Sequence, residues 1–221
     1  MRRLLVLRPE PGAGATVERA RSLGLDAIAV PLFKVEPVVW QVPEAGSFDG
    51  LLLTSANAVR CGGDGLAELR KLKAYAVGAA TAAAARDAGF DIAASGDAGV
   101  DRLLGSIDAE LKLLHLCGAE RRAPVEARQE IRPIVVYRAE AVASPDLSRA
   151  GGSVAMVHSP RSGRRLAELV SARNSVAIAA ISAAAASAVG DGWNSIEVAD
   201  QPSDEALLAL AARLCNKPQP K

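Results

Sequence analysis

The sequence is poor in the residues from which disulfide frameworks, metal centres and membrane spans are built. Its three cysteines, Cys61, Cys117 and Cys215, stand far apart, are odd in number and form no CxxC pair. Neither a disulfide framework nor a zinc site is indicated, and a reducing, cytoplasmic setting is expected. The two histidines, His115 and His158, have no partner at ligand spacing and read as structural. An excess of one charge is missing too: 26 basic residues face 25 acidic ones, which argues against a nucleic-acid partner. The apolar run after Arg2-Arg3 stops at Leu7, before Arg8-Pro9, too short for a signal core or a membrane span. A soluble cytoplasmic protein is expected, in which any anionic ligand must meet local groups.

What the chain has is apolar content and repetition. Half of its 221 residues are apolar, enough for the cores of two domains of about a hundred residues each. Leu4-Leu5-Val6-Leu7 recurs as Leu113-Leu114-His115-Leu116, and Leu51-Leu52-Leu53-Thr54-Ser55 as Ala155-Met156-Val157-His158-Ser159. Ala76-Val77-Gly78 recurs as Ala180-Ile181-Ser182, Phe90 as Trp193 and Asp101 as Asp204. Landmarks that keep register in this way point to a duplicated unit of about 110 residues. Two like lobes imply a cleft between them.

Within each half, short continuous apolar runs alternate with loops and helical stretches, the rhythm of a parallel sheet buried on both faces. Leu4 to Leu7 is a strand, Pro9 to Gly14 a turn, Ala15 to Leu23 a helix stopped by Gly24, and Ala27 to Val30 the next strand. Gly50 to Leu53 reads as a strand feeding Thr54-Ser55-Ala56-Asn57, whose side chains suit a helix start; the same transition follows Val157. Tyr75 to Gly78 and Ala177 to Ile181 are strands that run into the alanine-rich helices Ala79 to Ala88 and Ala183 to Val189. The class is α/β, with doubly wound, Rossmann-like (flavodoxin-like) lobes. Residues 31–40 and 133–142 are extended and β-branched but too polar at alternate positions for central strands, so they read as connectors between lobes. Two crossings make one lobe discontinuous. The polar tail Asn216 to Lys221 is expected to be disordered.

Several motifs can be weighed. Gly12-x-Gly14 follows a strand, but the third glycine of a dinucleotide fingerprint would fall at Val17, and no Walker lysine follows. The hydroxyl-bearing turns Thr54-Ser55 and Ser159, and Gly78 through Thr81 and Ser182, recur at equivalent places. Ligands of open α/β sheets settle at such strand ends, where helix N-termini offer free N–H groups. The blander reading is that Ser55, Asn57 and Ser159 only cap helices. Arg8, Arg60, Arg121, Arg122, Arg138, Arg161, Arg164 and Arg165 crowd these loops, although solvated helix faces account for many arginines. Cys117 beside Gly118 ends a strand without a histidine near it in sequence, and no Ser-His-Asp or paired-carboxylate pattern is present. The residues describe a protein that holds a ligand.

Taken in order, these landmarks resemble the uroporphyrinogen-III synthase family. The matching pieces are Arg8-Pro9, Pro31-Leu32-Phe33, the run Phe48 to Val59, Ala76 to Ala82, Leu116-Cys117-Gly118, Val136-Tyr137-Arg138, His158-Ser159-Pro160, Ile181-Ser182 and Pro202 to Leu208. The resemblance implies two Rossmann-like lobes joined by a two-stranded β-ladder. Residues 1–33 with 142–221 would form the first lobe, 38–133 the second, and 34–37 with 134–141 the linkers. It implies a monomeric, cofactor-independent lyase that converts linear hydroxymethylbilane, a polycarboxylate, into uroporphyrinogen III with inversion of the last pyrrole and loss of water. Tyr137 matches the tyrosine given the role of acid, which suits a group with an ordinary pKa of about 10. Arg8, Thr54, Ser55, Asn57, Gly78, Thr81, Gly118, Ser159 and Ser182 would contact substrate. Two departures stand out: Ala185 occupies the position matching Thr81, and the stretch 121–131 is short for the helix it should contain. The rival readings are a non-catalytic two-lobed sensor or small-ligand binder and, disfavoured by the defective glycine pattern, a nucleotide-dependent enzyme.

Overall fold

The computed structural model describes residues 1–96, 99–121 and 123–217, and its eleven strands fall into two sheets. The chain divides into two compact units: Met1–Lys34 with Glu140–Lys221, and Val35–Ala139.

Unit 1 holds strands β1 (Leu4–Val6), β2 (Ala27–Ala29), β9 (Val154–Val157), β10 (Ala177–Ala180) and β11 (Ser195–Val198) in the order β11-β10-β9-β1-β2. Its helices are α1 (Gly12–Ser22), α6 (Pro160–Leu169), α7 (Ala183–Ala188) and α8 (Asp204–Asn216). All four strand pairings in this sheet are parallel. Such strands are covered on both faces, which is why Leu4, Val6, Val154, Met156, Ala177 and Ala179 are apolar and almost unexposed. On one face they pack against Ala13, Val17 and Ala20 of α1 and Leu207, Leu210, Ala211 and Leu214 of α8. The spacing of both sets is that of a helical stripe.

The second sheet runs β3-β8-β7-β4-β5-β6, with β3 (Phe33–Pro37), β4 (Gly50–Leu53), β5 (Lys73–Val77), β6 (Ile92–Gly96), β7 (Lys112–Gly118) and β8 (Glu130–Ala141). Its helices are α2 (Ala56–Cys61), α3 (Leu66–Leu69), α4 (Ala79–Asp87) and α5 (Val100–Gly105). Alternation sorts the side chains of β4 and β7 between two faces. Leu51, Leu53, Leu114 and Leu116 join the cluster with α2, α3 and α4, whereas Leu52 and Leu113 join Leu103 and Leu104 of α5. In both sheets the strand order reverses once, between β1 and β9 in unit 1 and between β4 and β7 in unit 2.

Three expectations are corrected. The stretch 133–142 is more than a connector: up to Ala141 it belongs to β8, which starts at Glu130, lies between β3 and β7, and passes from one unit to the other at Ala139–Glu140. Polar alternate side chains such as Arg132 and Arg138 point out to solvent while the backbone pairs on, and Val136 is wholly buried, so side-chain polarity misjudged the strand's place. Helix α1 begins at Gly12, inside the expected turn, with amide bonds from Ala13 to Pro9 and from Ala15 to Pro11. At Gly12 a Cβ would come 2.7 Å from Arg8 Nε, so glycine there leaves room for that side chain, whereas at Gly14 it would come no nearer than 3.2 Å to Glu10 Oε2. In the tail, Asn216 closes α8 and Lys217 Nζ meets Glu197 Oε1 at 2.7 Å; residues 218–221 lie outside the described residues. Among the described residues, no helix is long and apolar enough to cross a membrane.

Candidate active site

Ligands of open α/β sheets bind beyond the carboxyl ends of the strands, where the strand order reverses. In unit 2 that place is the end of β4 and β7, and a recess of about 310 Å³ opens there, lined by Thr54, Ser55, Val77, Gly118, Arg121 and Tyr137, among others. Ser55 leaves β4 in extended conformation and its Oγ accepts the Asn57 amide at 3.2 Å, starting α2. Gly78, next to Val77, turns β5 into α4 at φ 88°, a left-handed backbone that favours glycine.

A bulge sets the phenol in place. Along β7 and β8 the register is regular until Cys117 faces Val135; Gly118 then faces Tyr137, so Val136 is the extra residue. The Ala119 amide donates to the Tyr137 carbonyl at 2.9 Å and fixes the shifted pairing. The ring comes down on Gly118 so closely that a Cβ there would lie 2.7 Å from Cζ and 2.9 Å from Oη. Burial raises the Tyr137 pKa above its ordinary value, opposed by a side-chain hydrogen bond with Ser55. The phenol is therefore protonated at neutral pH and able to donate.

Beneath the recess, Thr54 Oγ1 and His115 Nε2 are 3.0 Å apart. The register Leu52↔His115 and the alternation of strands put both side chains on the α5 face. His115 is 2 % exposed, and burial, with the Arg121 charge adding to it, lowers its pKa to about 4; it is neutral at physiological pH. Cys117 is buried and its Sγ lies 3.4 Å from the Ile134 carbonyl; burial raises its pKa, so it is a thiol and no nucleophile.

Unit 1 carries a second polar centre where β1 and β9 end. Asp204, the first residue of α8, accepts Arg8 Nη1 at 3.0 Å and His158 Nε2 at 2.8 Å on Oδ1. Its Oδ2 accepts Thr16 Oγ1 at 3.1 Å and Arg19 Nη2. Ser159 Oγ accepts the Ser162 amide and Ser182 Oγ the Ala185 amide, so both serines cap their helices.

The structure thus gathers Thr54, Ser55, Gly118 and Tyr137 round one recess, with Gly78 adjoining its edge. Asn57 spends its amide on the Ser55 cap and receives Arg60 Nη1 at 3.4 Å. Thr81 is buried in α4, 5 % exposed, and does not line the recess. Arg8, Ser159 and Ser182 belong to unit 1. Arg122 lies outside the described residues, and the described part of 121–129 contains no helix; there Asp101 Oδ1 accepts the amides of Val125 and Glu126. Sequence reasoning missed His115, Asp204, Thr16 and Arg19. For His115 there was a signal, since a polar side chain inside a continuous apolar strand must find a partner.

Two α/β units with parallel-dominated sheets, one of them with hydroxyls, a guanidinium and a phenol lining a recess at its switch point, define an open α/β protein with a polar recess of small-molecule size. The chain belongs to the uroporphyrinogen-III synthase family: the family model described as Uroporphyrinogen-III synthase HemD matches residues 14–209. The family consists of enzymes of haem biosynthesis. Among solved structures, uroporphyrinogen-III synthetase from Helicobacter pylori 26695 superposes with a TM-score of 0.69 at 19% identity, over 97% of this chain and 100% of that one. A mutant uroporphyrinogen III synthase from the extremely thermophilic bacterium Thermus thermophilus gives 0.52 at 19% identity, over 98% and 100%. At that identity the likeness speaks for the fold. No curated protein matches the sequence.

Proposed function

We propose that the chain converts hydroxymethylbilane to uroporphyrinogen III, as a lyase without a cofactor, and that Tyr137 is its acid. The observation that carries this reading is the Tyr137 phenol, seated on Gly118 and lining the unit 2 recess together with Ser55 in a chain of this family, where burial keeps it protonated. Loss of the hydroxyl breaks a C–O bond whose electron pair leaves with oxygen. The phenol supplies the proton that makes this oxygen water, and the resulting cation is attacked by the bridge-bearing α-carbon of the last pyrrole to give a spiro intermediate. The older bond from that carbon to its methylene bridge then breaks, and the free α-carbon of the turned ring bonds to the bridge carbon. Closure releases a proton from the attacking pyrrole, which restores the phenol. The net change is one water lost.

Arg8, Thr54, Ser55, Asn57, Gly78, Thr81, Gly118, Ser159 and Ser182 remain the proposed contacts to substrate, several through backbone N–H. Carboxylates suit such sites, since a helix N-terminus or a guanidinium meets each negative group locally. Thr81 has a buried side chain and its amide donates to the Gly78 carbonyl at 3.1 Å, so its contact to substrate would need the first turn of α4 to open. Restraint of the flexible bilane is the other part of the catalysis, because holding reacting groups in one geometry removes much of the entropic barrier.

The proposal extends to organisation: two lobes, 1–33 with 142–221 and 38–133, descended from one duplicated unit and linked through 34–37 and 134–141 as a β-ladder. In support, β4, β5 and β7, whose sequences match β9, β10 and β1, stand in the same spatial order in their sheet as those three do in theirs. Two hydrogen bonds at the ends of the β3–β8 pair, Val38 amide to Val136 carbonyl and Val142 amide to Leu32 carbonyl, have antiparallel register and support the ladder. A cytoplasmic monomer that binds no nucleic acid completes the reading, with three unpaired cysteines in its favour.

The test is to add purified protein to freshly made hydroxymethylbilane and separate the ring isomers. Spontaneous closure gives the type I ring, and the protein should give type III. An isomer mixture equal to that in buffer alone would end the proposal.

A further inference from the structure

We infer that Asp204 is a positioning residue, which holds the Arg8 guanidinium by one nitrogen so that its other edge stays oriented for a substrate carboxylate. The inference rests on the proposed reading of the chain as a bilane cyclase. Asp204 collects four donors from three elements: Arg8 after β1, His158 after β9, and Thr16 and Arg19 on α1, while itself opening α8. It is 21% exposed, and the His158 side chain 10%. A carboxylate has two oxygens and about four lone-pair sites, and the four donors fill them two to each oxygen. A carboxylate saturated in this way fixes the direction of each donor that meets it.

The consequence for Arg8 is geometric. Its Nη1 is committed to Asp204 Oδ1 at 3.0 Å. Its opposite edge passes over Gly12 so closely that a Cβ there would lie 2.7 Å from Nε and 3.1 Å from Nη2. That Nε–Nη2 edge is the fork that grips a carboxylate with two parallel bonds. It carries no hydrogen bond among the described residues, and the Arg8 side chain is 35% exposed. Gly12 leaves room on one side and Asp204 fixes the other, so the guanidinium plane is oriented before substrate arrives. Asp204 touches no reacting atom in this scheme and acts only through Arg8.

The test is a double-mutant cycle with hydroxymethylbilane, read as KM and kcat from the type III ring formed, using Arg8→Met, Asp204→Asn and both together. Each single change should raise KM by about ten-fold or more, the range for a hydrogen bond to a charged group, with the larger share of the loss in kcat/KM on KM. The double variant should be no worse than Arg8→Met alone, because the two act as one unit. Losses that multiply would overturn the inference. A second readout needs no substrate: the Arg8 Nε–H resonance, assigned by its disappearance in Arg8→Met, should exchange with water at least several times faster in Asp204→Asn. Unchanged exchange would equally refute the clamp. Should the asparagine variant not fold, Asp204→Ser replaces it, serine being accepted in a first helical turn. If the wild type itself yields no type III ring, the functional reading fails, and the exchange measurement still decides whether Asp204 fixes Arg8.

Discussion

Replacing Gly118 by alanine is the sharpest probe of the phenol. A methyl group at that position would sit 2.7 Å from Cζ, 2.8 Å from Cε2 and 2.9 Å from Oη of Tyr137, whereas ordinary contacts begin at 3.4 Å. The ring must therefore withdraw by about 0.7 Å, and only outward, since Gly118 lies beneath it. Backbone strain is not the issue, because Gly118 is not among the residues with positive φ. A displacement approaching 1 Å costs a positioned catalytic group about 10²-fold, and loss of general-acid help costs 10²- to 10⁴-fold. We expect Gly118→Ala to lower kcat by about 10²-fold with a modest loss of stability, about 1 to 3 kcal/mol at most for local overpacking. The assay is the initial rate of type III ring formation, beside a thermal melt. In a Tyr137→Phe background the alanine should add almost nothing. If Gly118→Ala turns over within two-fold of wild type while a structure of the variant shows the ring displaced, the assignment of Tyr137 as acid is refuted.

Further predictions concern the same recess. Tyr137→Phe should reduce kcat by about 10²-fold with the melting temperature nearly unchanged; a two-fold loss would take the phenol out of the mechanism. Thr54→Val strands His115 Nε2 without a partner, and should cost about 1 to 3 kcal/mol in a urea titration; no loss would show that the bond to Thr54 is dispensable. His115 has a folded pKa of about 4 against an ordinary 6.5, so its contribution is fully present above pH 6.5 and drains away as pH falls towards 4. The unfolded chain takes up the proton first, which amounts to about 2 kcal/mol at pH 5. His115→Gln should therefore lose about 2 kcal/mol less than wild type between pH 7 and pH 5, and parallel losses would contradict the burial of a neutral imidazole.

The sheets were largely legible because parallel strands must be apolar throughout. Leu51-Leu52-Leu53 and Ala177 to Ala180 announce themselves for that reason, and glycines such as Gly89, at φ 88°, mark helix ends that no other residue makes as cheaply. Strand β8 was not legible as an internal strand, since its pairing is made by backbone groups while Glu130, Arg132 and Arg138 among its side chains are exposed. The bulge that faces Tyr137 with Gly118 could not be read either: register is a property of two strands, and nothing local to either sequence fixes a one-residue slip. The Thr54–His115 and Arg8–Asp204 contacts join residues 61 and 196 positions apart. For the first of them the one signal, unused in reading the sequence, was a polar residue within Leu113 to Cys117.

The two switch points have been put to opposite uses. In unit 2 the place beyond the strand ends is left open, about 310 Å³ bordered by a hydroxyl pair and a phenol. In unit 1 the corresponding place is occupied by the chain's own carboxylate, with two guanidiniums and an imidazole bonded to it. An open recess with a protonated donor can perform a proton transfer on a guest. A filled one cannot accept the guest's charge at its centre, but it presents the outer edge of a guanidinium already fixed in direction. The residues of unit 2 are therefore expected to govern kcat and those around Asp204 to govern KM. A set of Arg8 and Asp204 variants that lowered kcat while leaving KM untouched would contradict this division of labour.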